Sequence, residues 1–296
     1  MIKSLWCLLL FSSFTYASPP AISFIQDNEL ITVKGQQTDY GYGYNLDADE
    51  VLRLVTLNWP PYIDESLCDF GWVFQVTVEM LISQGYGVDV EFYPWARAVR
   101  EAELGKADIL FPEYFIDDSA ESDNVPNKTR NEVLALSAPI PGGDLSLITL
   151  KDNNIQYDGS LNSIKNEVIG VVRAYKNTIE LDKFIDNNQI ATIVVNNEFQ
   201  LARLLLSKRV TLIVADLDSL LASVDKSPMS ANQKQIINSS LVALKPSLEY
   251  KYLHYSVSKK KANWRSILQA INSKIETMNK ERTFEQQIKE SSRRCK

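Results

Sequence analysis

Three short stretches of this chain end strand-like runs on aromatic residues: "NWPPY" at 58–62, "FYPWAR" at 92–97 and "FPEYF" at 111–115. They deliver Trp59, Tyr62, Trp95, Tyr114 and Phe115, with one acidic residue, Glu113, among the rings. In parallel α/β sheets, ligands bind outside the carboxyl ends of the strands. Three aromatic exits on one rim are more than core packing requires, so they point to a ligand cleft. Nucleophilic chemistry has little support: the single histidine, His254, weakens any Ser-His-Asp or Cys-His arrangement. No cysteine pair stands at ligand spacing, which argues against a metal site.

The elements that must position these residues follow from hydrophobic periodicity. "VLRLVTL" (51–57), "VDVEFY" (88–93) and "ADILFP" (107–112) read as strands. Between them, "WVFQVTVEMLISQGY" (72–86) is an apolar-faced helix ending near Gly85. "PWARAVREAELGK" (94–106) is a helix with Pro94 in its first turn, where a missing N–H is tolerated. A long acidic loop spans 113–131. The alternation then repeats through "LSLITL" (145–150), "EVIGVV" (167–172), a helix over 177–186, "ATIVV" (191–195), a helix over 198–208 and "VTLIVAD" (210–216). "YKYLHYSVS" (250–258) and two amphipathic helices over 263–280 and 283–292 close the chain.

Two rounds of strand–helix alternation, with no separate sheet at the C-terminus, predict an α/β protein of two lobes. Each lobe is then a mostly parallel sheet flanked by helices. The expected crossings lie near 138–144 and 242–250. Lobe one takes 51–141 and 246–296, and lobe two takes 142–245. Residues 18–50 are polar, lack a clear period, and are expected to form an N-terminal extension, hairpin-like at most.

At 296 residues the chain can bury a substantial core. Its net charge of −6 argues against nucleic acid as a partner. "MIKSLWCLLLFSSFTYAS" has one lysine, an apolar run from Leu5 to Phe11, and Thr15 and Ala17 at the places a cleavage site wants. Residues 1–17 are therefore expected to be a signal peptide, the mature chain beginning near Ser18. Loss of Lys3 takes the charge from −6 to −7. No later segment is apolar enough to span a membrane, so the mature protein is expected to be soluble. Export leaves Cys68 and Cys295 in an oxidising compartment, where a disulfide persists if they pair.

The chain resembles the periplasmic solute-binding proteins of family 3, the polar-amino-acid type with the type II two-lobe fold. The resemblance runs from about 51 to 284. It rests on the aromatic-Pro-Pro-aromatic exit at 59–62, "PWARAVREAELGKADILFP" at 94–112, "RNEVLALSAPI" at 130–140, "VIGVVRAYKN" at 168–177 and "KRVTLIVAD" at 208–216. By that resemblance Arg130 holds a ligand α-carboxylate, Asp216 accepts the ligand ammonium, and Trp59 and Trp95 sandwich the ligand side chain. The loop carrying Arg173 and Tyr175 offers backbone N–H groups to an anion. The departures are Glu113 and Phe115 where relatives carry a small residue and a hydroxyl, Thr56 for an acid, and Ala174 for a glycine. The resemblance implies a monomeric periplasmic receptor that needs no cofactor. It would capture an amino acid or similar carboxylate for an ABC-type permease. Two alternatives stay open: a receptor feeding a membrane sensor, and a dehydratase-like enzyme with Glu113 as general acid.

Overall fold

The structure is a computed structural model that describes residues 19–26 and 28–294. The expected signal peptide and Cys295 lie outside the described residues. The N-terminal segment forms an antiparallel hairpin, β1 (Ile22–Gln26) with β2 (Glu29–Val33), followed by β3 (Gln36–Gln37) and β4 (Gly41–Tyr44). Strand β4 is not a loose extension: it pairs antiparallel with β6 (Gly87–Phe92) at the edge of the main sheet. Its Gly-Tyr alternation puts Tyr42 and Tyr44 on one face. There Tyr42 meets Phe70 at 4.7 Å between ring centroids, and Tyr44 meets Phe74 at 5.8 Å.

The core of the first half is parallel. β5 (Val51–Thr56) lies between β6 and β7 (Ile109–Tyr114), with crossover helices α1 (Trp72–Ile82) and α2 (Trp95–Glu103). Helix α2 places Trp95, Ala98, Val99 and Ala102 on one buried stripe, and Pro94 caps it from outside. Helix α1 is not one-faced as its sequence suggested: all its residues but Glu79 are buried. Its outer side is covered by β1, whose Ile22 and Phe24 are buried, and by two later helices.

The short helix α3 (Arg130–Val133) and β8 (Leu134–Leu136) lead into the long strand β9 (Ile140–Leu150). The second half repeats the parallel theme. β10 (Val168–Val172) lies between β11 (Ala191–Val195) and β12 (Leu212–Asp216), joined by α4 (Ile179–Asp186) and α5 (Glu198–Leu206). Two helices that the periodicity did not predict, α6 (Leu217–Lys226) and α7 (Ala231–Ser240), follow, then β13 (Leu241–Ala243). Side-chain caps start all four α-helices of this half: Thr178, Asn197, Asp216 and Ser230 each accept a backbone N–H from the first turn.

The chain returns through β14 (Glu249–Ser258), which pairs antiparallel with β7 and with β9. This β9–β14 pairing makes one continuous sheet of the two halves. The β7–β14 register shifts between His254 and Ser256, opposite Pro112, which has no N–H to give the ladder. Helix α8 (Trp264–Lys280) buries Ile267, Ile271, Ile275 and Met278 at helical spacing, and α9 (Thr283–Arg294) packs on α1. Near the end of α9, Ser291 hydrogen-bonds Asp69, next to Cys68. Cys68 is disulfide-bonded, and the other two cysteines lie outside the described residues. Among the described residues no helix is long and apolar enough to cross a membrane.

Candidate functional site

The carboxyl ends of β5, β6 and β7 face those of β10, β11 and β12 across a cleft, and side chains join the two rims. Trp59 Nε1 donates to Glu198 Oε1 at 2.7 Å. Tyr62 donates through its hydroxyl to Asp216 Oδ2 at 2.7 Å. Trp95 Nε1 donates to the Ala174 carbonyl at 3.2 Å, and Lys176 Nζ lies 3.5 Å from Asp123. Backbone geometry permits these approaches. A Cβ on Gly143, where β9 crosses between the halves, would lie 1.8 Å from Asp216 Oδ2 and 2.5 Å from the Tyr62 hydroxyl.

The structure brings most of the expected aromatic residues together, with a different partner at the centre. Tyr175, from the second half, contacts Trp59 at 6.0 Å between ring centroids, Trp95 at 6.1 Å and Tyr114 at 6.4 Å. Trp59 also packs on Tyr62 at 4.8 Å and Tyr114 at 5.3 Å. Tyr175 therefore occupies the place between the two tryptophans that the resemblance reserved for a ligand side chain. The space bounded by Trp59, Trp95, Glu113, Tyr114, Tyr175 and Lys176 is only about 10 Å³, the scale of one water. A larger cleft, about 640 Å³, shares Leu57, Trp59, Trp95 and Tyr175 with it. Its lining includes Trp59, Trp95, Tyr175, Glu198, Phe199 and Lys226.

Arg130 lines neither space. It has no exposed surface and is ringed by three carboxylates: Glu103 at 3.0 Å, Glu113 at 3.4 Å, and Asp123. A guanidinium so enclosed has no edge left for a ligand carboxylate in this arrangement. The acidic loop is what encloses it. Glu103 also accepts from the Asp123 and Asn124 backbone N–H groups and from the Asn124 side chain, which anchors the loop over Arg130. Arg173 is exposed, and its backbone N–H donates to Val195; its side chain does not line the cleft. Asp216 is foremost a helix cap, accepting from the Asp218 and Ser219 backbone N–H groups at α6. Ala174 adopts a left-handed backbone conformation that favours glycine, φ +66°.

The aromatic exits and motifs did not point to Glu198. It is only 3 % exposed, and its second oxygen accepts from the Ser219 hydroxyl at 2.7 Å. Burial pushes its carboxyl up to about 8, against which the Ser219 and Trp59 hydrogen bonds pull only partway; the Asp216 charge raises it further. Burial also holds Glu113 at about 7, because Arg130 is shared among three acids and offsets only part of the desolvation. Asp216 is raised by burial too, with the Tyr62 hydrogen bond opposing. The phenols of Tyr62, Tyr114 and Tyr175 are all pushed up by burial. Trp59, Glu198 and their neighbours thus form a desolvated patch rich in rings and poor in positive charge. No group of three or more metal-ligating side chains occurs among the described residues.

No protein-family model matches the chain, and no curated protein sequence does. Solved structures do. An ancestral arginine-binding protein bound to arginine superposes with a TM-score of 0.64 at 18 % identity, covering 82 % of this chain and 98 % of its own. An arginine transport-system periplasmic binding protein from Legionella pneumophila gives 0.63 at 14 % identity, covering 82 % and 100 %. A histidine kinase sensor domain similar to periplasmic binding proteins gives 0.62 at 12 % identity, covering 81 % and 94 %. At these identities the likeness is one of fold. The chain has the two-lobe α/β architecture of the periplasmic binding proteins.

Proposed function

We propose that the chain is an extracytoplasmic receptor that closes its two lobes on a small polar solute and presents it to an ABC-type permease. The observation that carries this reading is the cleft itself: carboxyl ends of two parallel strand sets face each other and contribute Trp59, Trp95, Tyr175 and Glu198 to one cavity. Hinge closure about paired strands such as β9 and β14 is the natural motion of such an arrangement. The neighbours in fold are binding proteins, which supports capture without turnover. The dehydratase reading has less support, because the space beside Glu113 is about 10 Å³.

A thermal-shift screen of amino acids, amines and small organic acids tests the proposal. One class should raise the melting temperature, since a ligand at a hundred times its Kd stabilises by about 2.7 kcal/mol. Trp95→Ala should abolish that rise. A panel in which no compound shifts the wild type, or in which Trp95→Ala responds as fully as wild type, would count against a cleft receptor. The sensor-domain neighbour favours one second reading, a receptor that signals instead of feeding a transporter. Uptake of the identified ligand that persists in cells lacking this chain would favour that second reading.

A further inference from the structure

We propose that the cleft selects an organic cation without a carboxylate, an amine or guanidine, held by Glu198 among Trp59, Trp95 and Tyr175. The inference deepens the receptor reading and rests on it.

Glu198 lines the cleft of about 640 Å³ although only 3 % of it is exposed. Its two donors, Trp59 Nε1 and the Ser219 hydroxyl, are both neutral and use one contact on each oxygen. Once ionised, a carboxylate offers about four acceptor sites, so a bound cation that drew off the proton would find roughly half of that capacity unused. Among the described residues it has no ion-pair partner, and the charge that acts on it from nearby is Asp216, of the same sign. A buried carboxylate without a counter-charge is costly. A ligand N–H donor carrying positive charge would supply both missing elements.

The walls suit such a group. Trp59, Trp95 and Tyr175 line the same cleft, and aromatic faces attract cations most strongly where water is excluded. Among the described residues, no free cationic side chain lies beside Glu198 to seat a carboxylate. Arg130 is enclosed by Glu103, Glu113 and Asp123. Lys176 is paired with Asp123, and Lys251 with Glu249. Lys226 does line the cleft, but it is exposed and lies seven residues along α6 from Ser219, roughly 10 Å by helical rise. An α-amino acid held through its ammonium would bring the carboxylate on the same carbon toward Glu198 and Asp216, and one held through a side-chain guanidine would leave its carboxylate facing a cleft whose lining cation, Lys226, is exposed.

Agmatine and arginine differ by the α-carboxylate alone and make a matched pair for calorimetric titration against the full chain. Agmatine should bind at least about tenfold tighter, and Glu198→Gln should weaken it by about thirtyfold or more, as loss of one partner of a buried charge pair does. Arginine binding as tightly as agmatine, or Glu198→Gln binding agmatine like wild type, would overturn the inference. The matched pair is titrated on the unsubstituted chain, so that comparison stands even if Glu198→Gln does not fold. Including alanine, glutamate and succinate separates the two levels. If one of these carboxylates binds, is lost in Trp95→Ala, and agmatine does not bind, the cation inference falls and the receptor reading stands. If nothing in the set binds, both fall.

Discussion

Arg130 is enclosed with three acids around it, whereas Glu198 is enclosed with no base, and the two burials have opposite consequences. Removing Arg130 strands the buried Glu103 and Glu113 and takes away one partner of the exposed Asp123. Arg130→Met should therefore cost about 3–5 kcal/mol of stability, read as a lower urea midpoint with an unchanged slope. For Glu198 the sign follows from its raised pKa. The unfolded carboxyl, near 4.5, ionises before the folded one, near 8, so the folded state is favoured fully below about pH 4.5 and loses that advantage as pH rises through about 8. Glu113 adds to the same slope between about 4.5 and 7. Melting temperature should thus fall from pH 5 to pH 9, and Glu198→Gln should flatten that fall. A slope unchanged by the substitution would mean that other groups carry it. Neither residue's role was legible in the chain. Glu198 reads as an acid in the first turn of an amphipathic helix, where the dipole favours it. Only its placement opposite Trp59, 139 positions away, makes it part of a site. Arg130 sits in the motif that suggested a ligand clamp, yet the acidic loop supplies its own carboxylate and fills the clamp from within.

The elements were largely legible because each half obeys simple periods: short apolar runs for the buried parallel strands, and i, i+4 stripes such as Ile267, Ile271 and Ile275 for helices on the sheet. What escaped had a competing reading or an unusual composition. Helix α6 is ten residues, and its start is set by Asp216, a residue equally suited to contact a ligand. Strand β4 is written in glycine and tyrosine, whose burial comes from partners distant in sequence. The junctions into the second-half helices carry two testable features. Asp216→Ala removes a cap worth about 1 kcal/mol along with the Tyr62 bond, while Tyr62→Phe removes the bond alone; the difference between their denaturation free energies measures the cap. The φ of +66° at Ala174 sets its Cβ against the backbone, at a cost in strain. Ala174→Gly should raise stability by up to about 1 kcal/mol, the relieved strain exceeding the entropy that glycine adds to the unfolded chain. A loss of stability would show that the Ala174 methyl group contributes packing that outweighs its strain.

At the scale of the molecule, the contacts that hold the two halves together across the cleft differ in strength. The Lys176–Asp123 pair is partly exposed and 3.5 Å long, so it contributes at most about a fraction of a kcal/mol. The Trp59–Glu198 and Tyr62–Asp216 hydrogen bonds are buried and contribute about 1–2 kcal/mol each. Tyr175 packs on three rings of the first half, and aromatic pairs of this kind contribute about 0.5–1.5 kcal/mol each beyond their burial. Ring packing by Tyr175 is then the largest single term favouring the closed arrangement. The same ring fills the space between Trp59 and Trp95, so its departure both opens the lobes and widens the site. In small-angle scattering, a compact chain of this length should show a radius of gyration of about 19 Å. Tyr175→Ala should increase it most, Trp59→Phe and Tyr62→Phe by less, and Lys176→Ala not measurably. If Lys176→Ala opened the molecule as far as Tyr175→Ala, surface electrostatics and not the buried aromatic cluster would set the lobe angle.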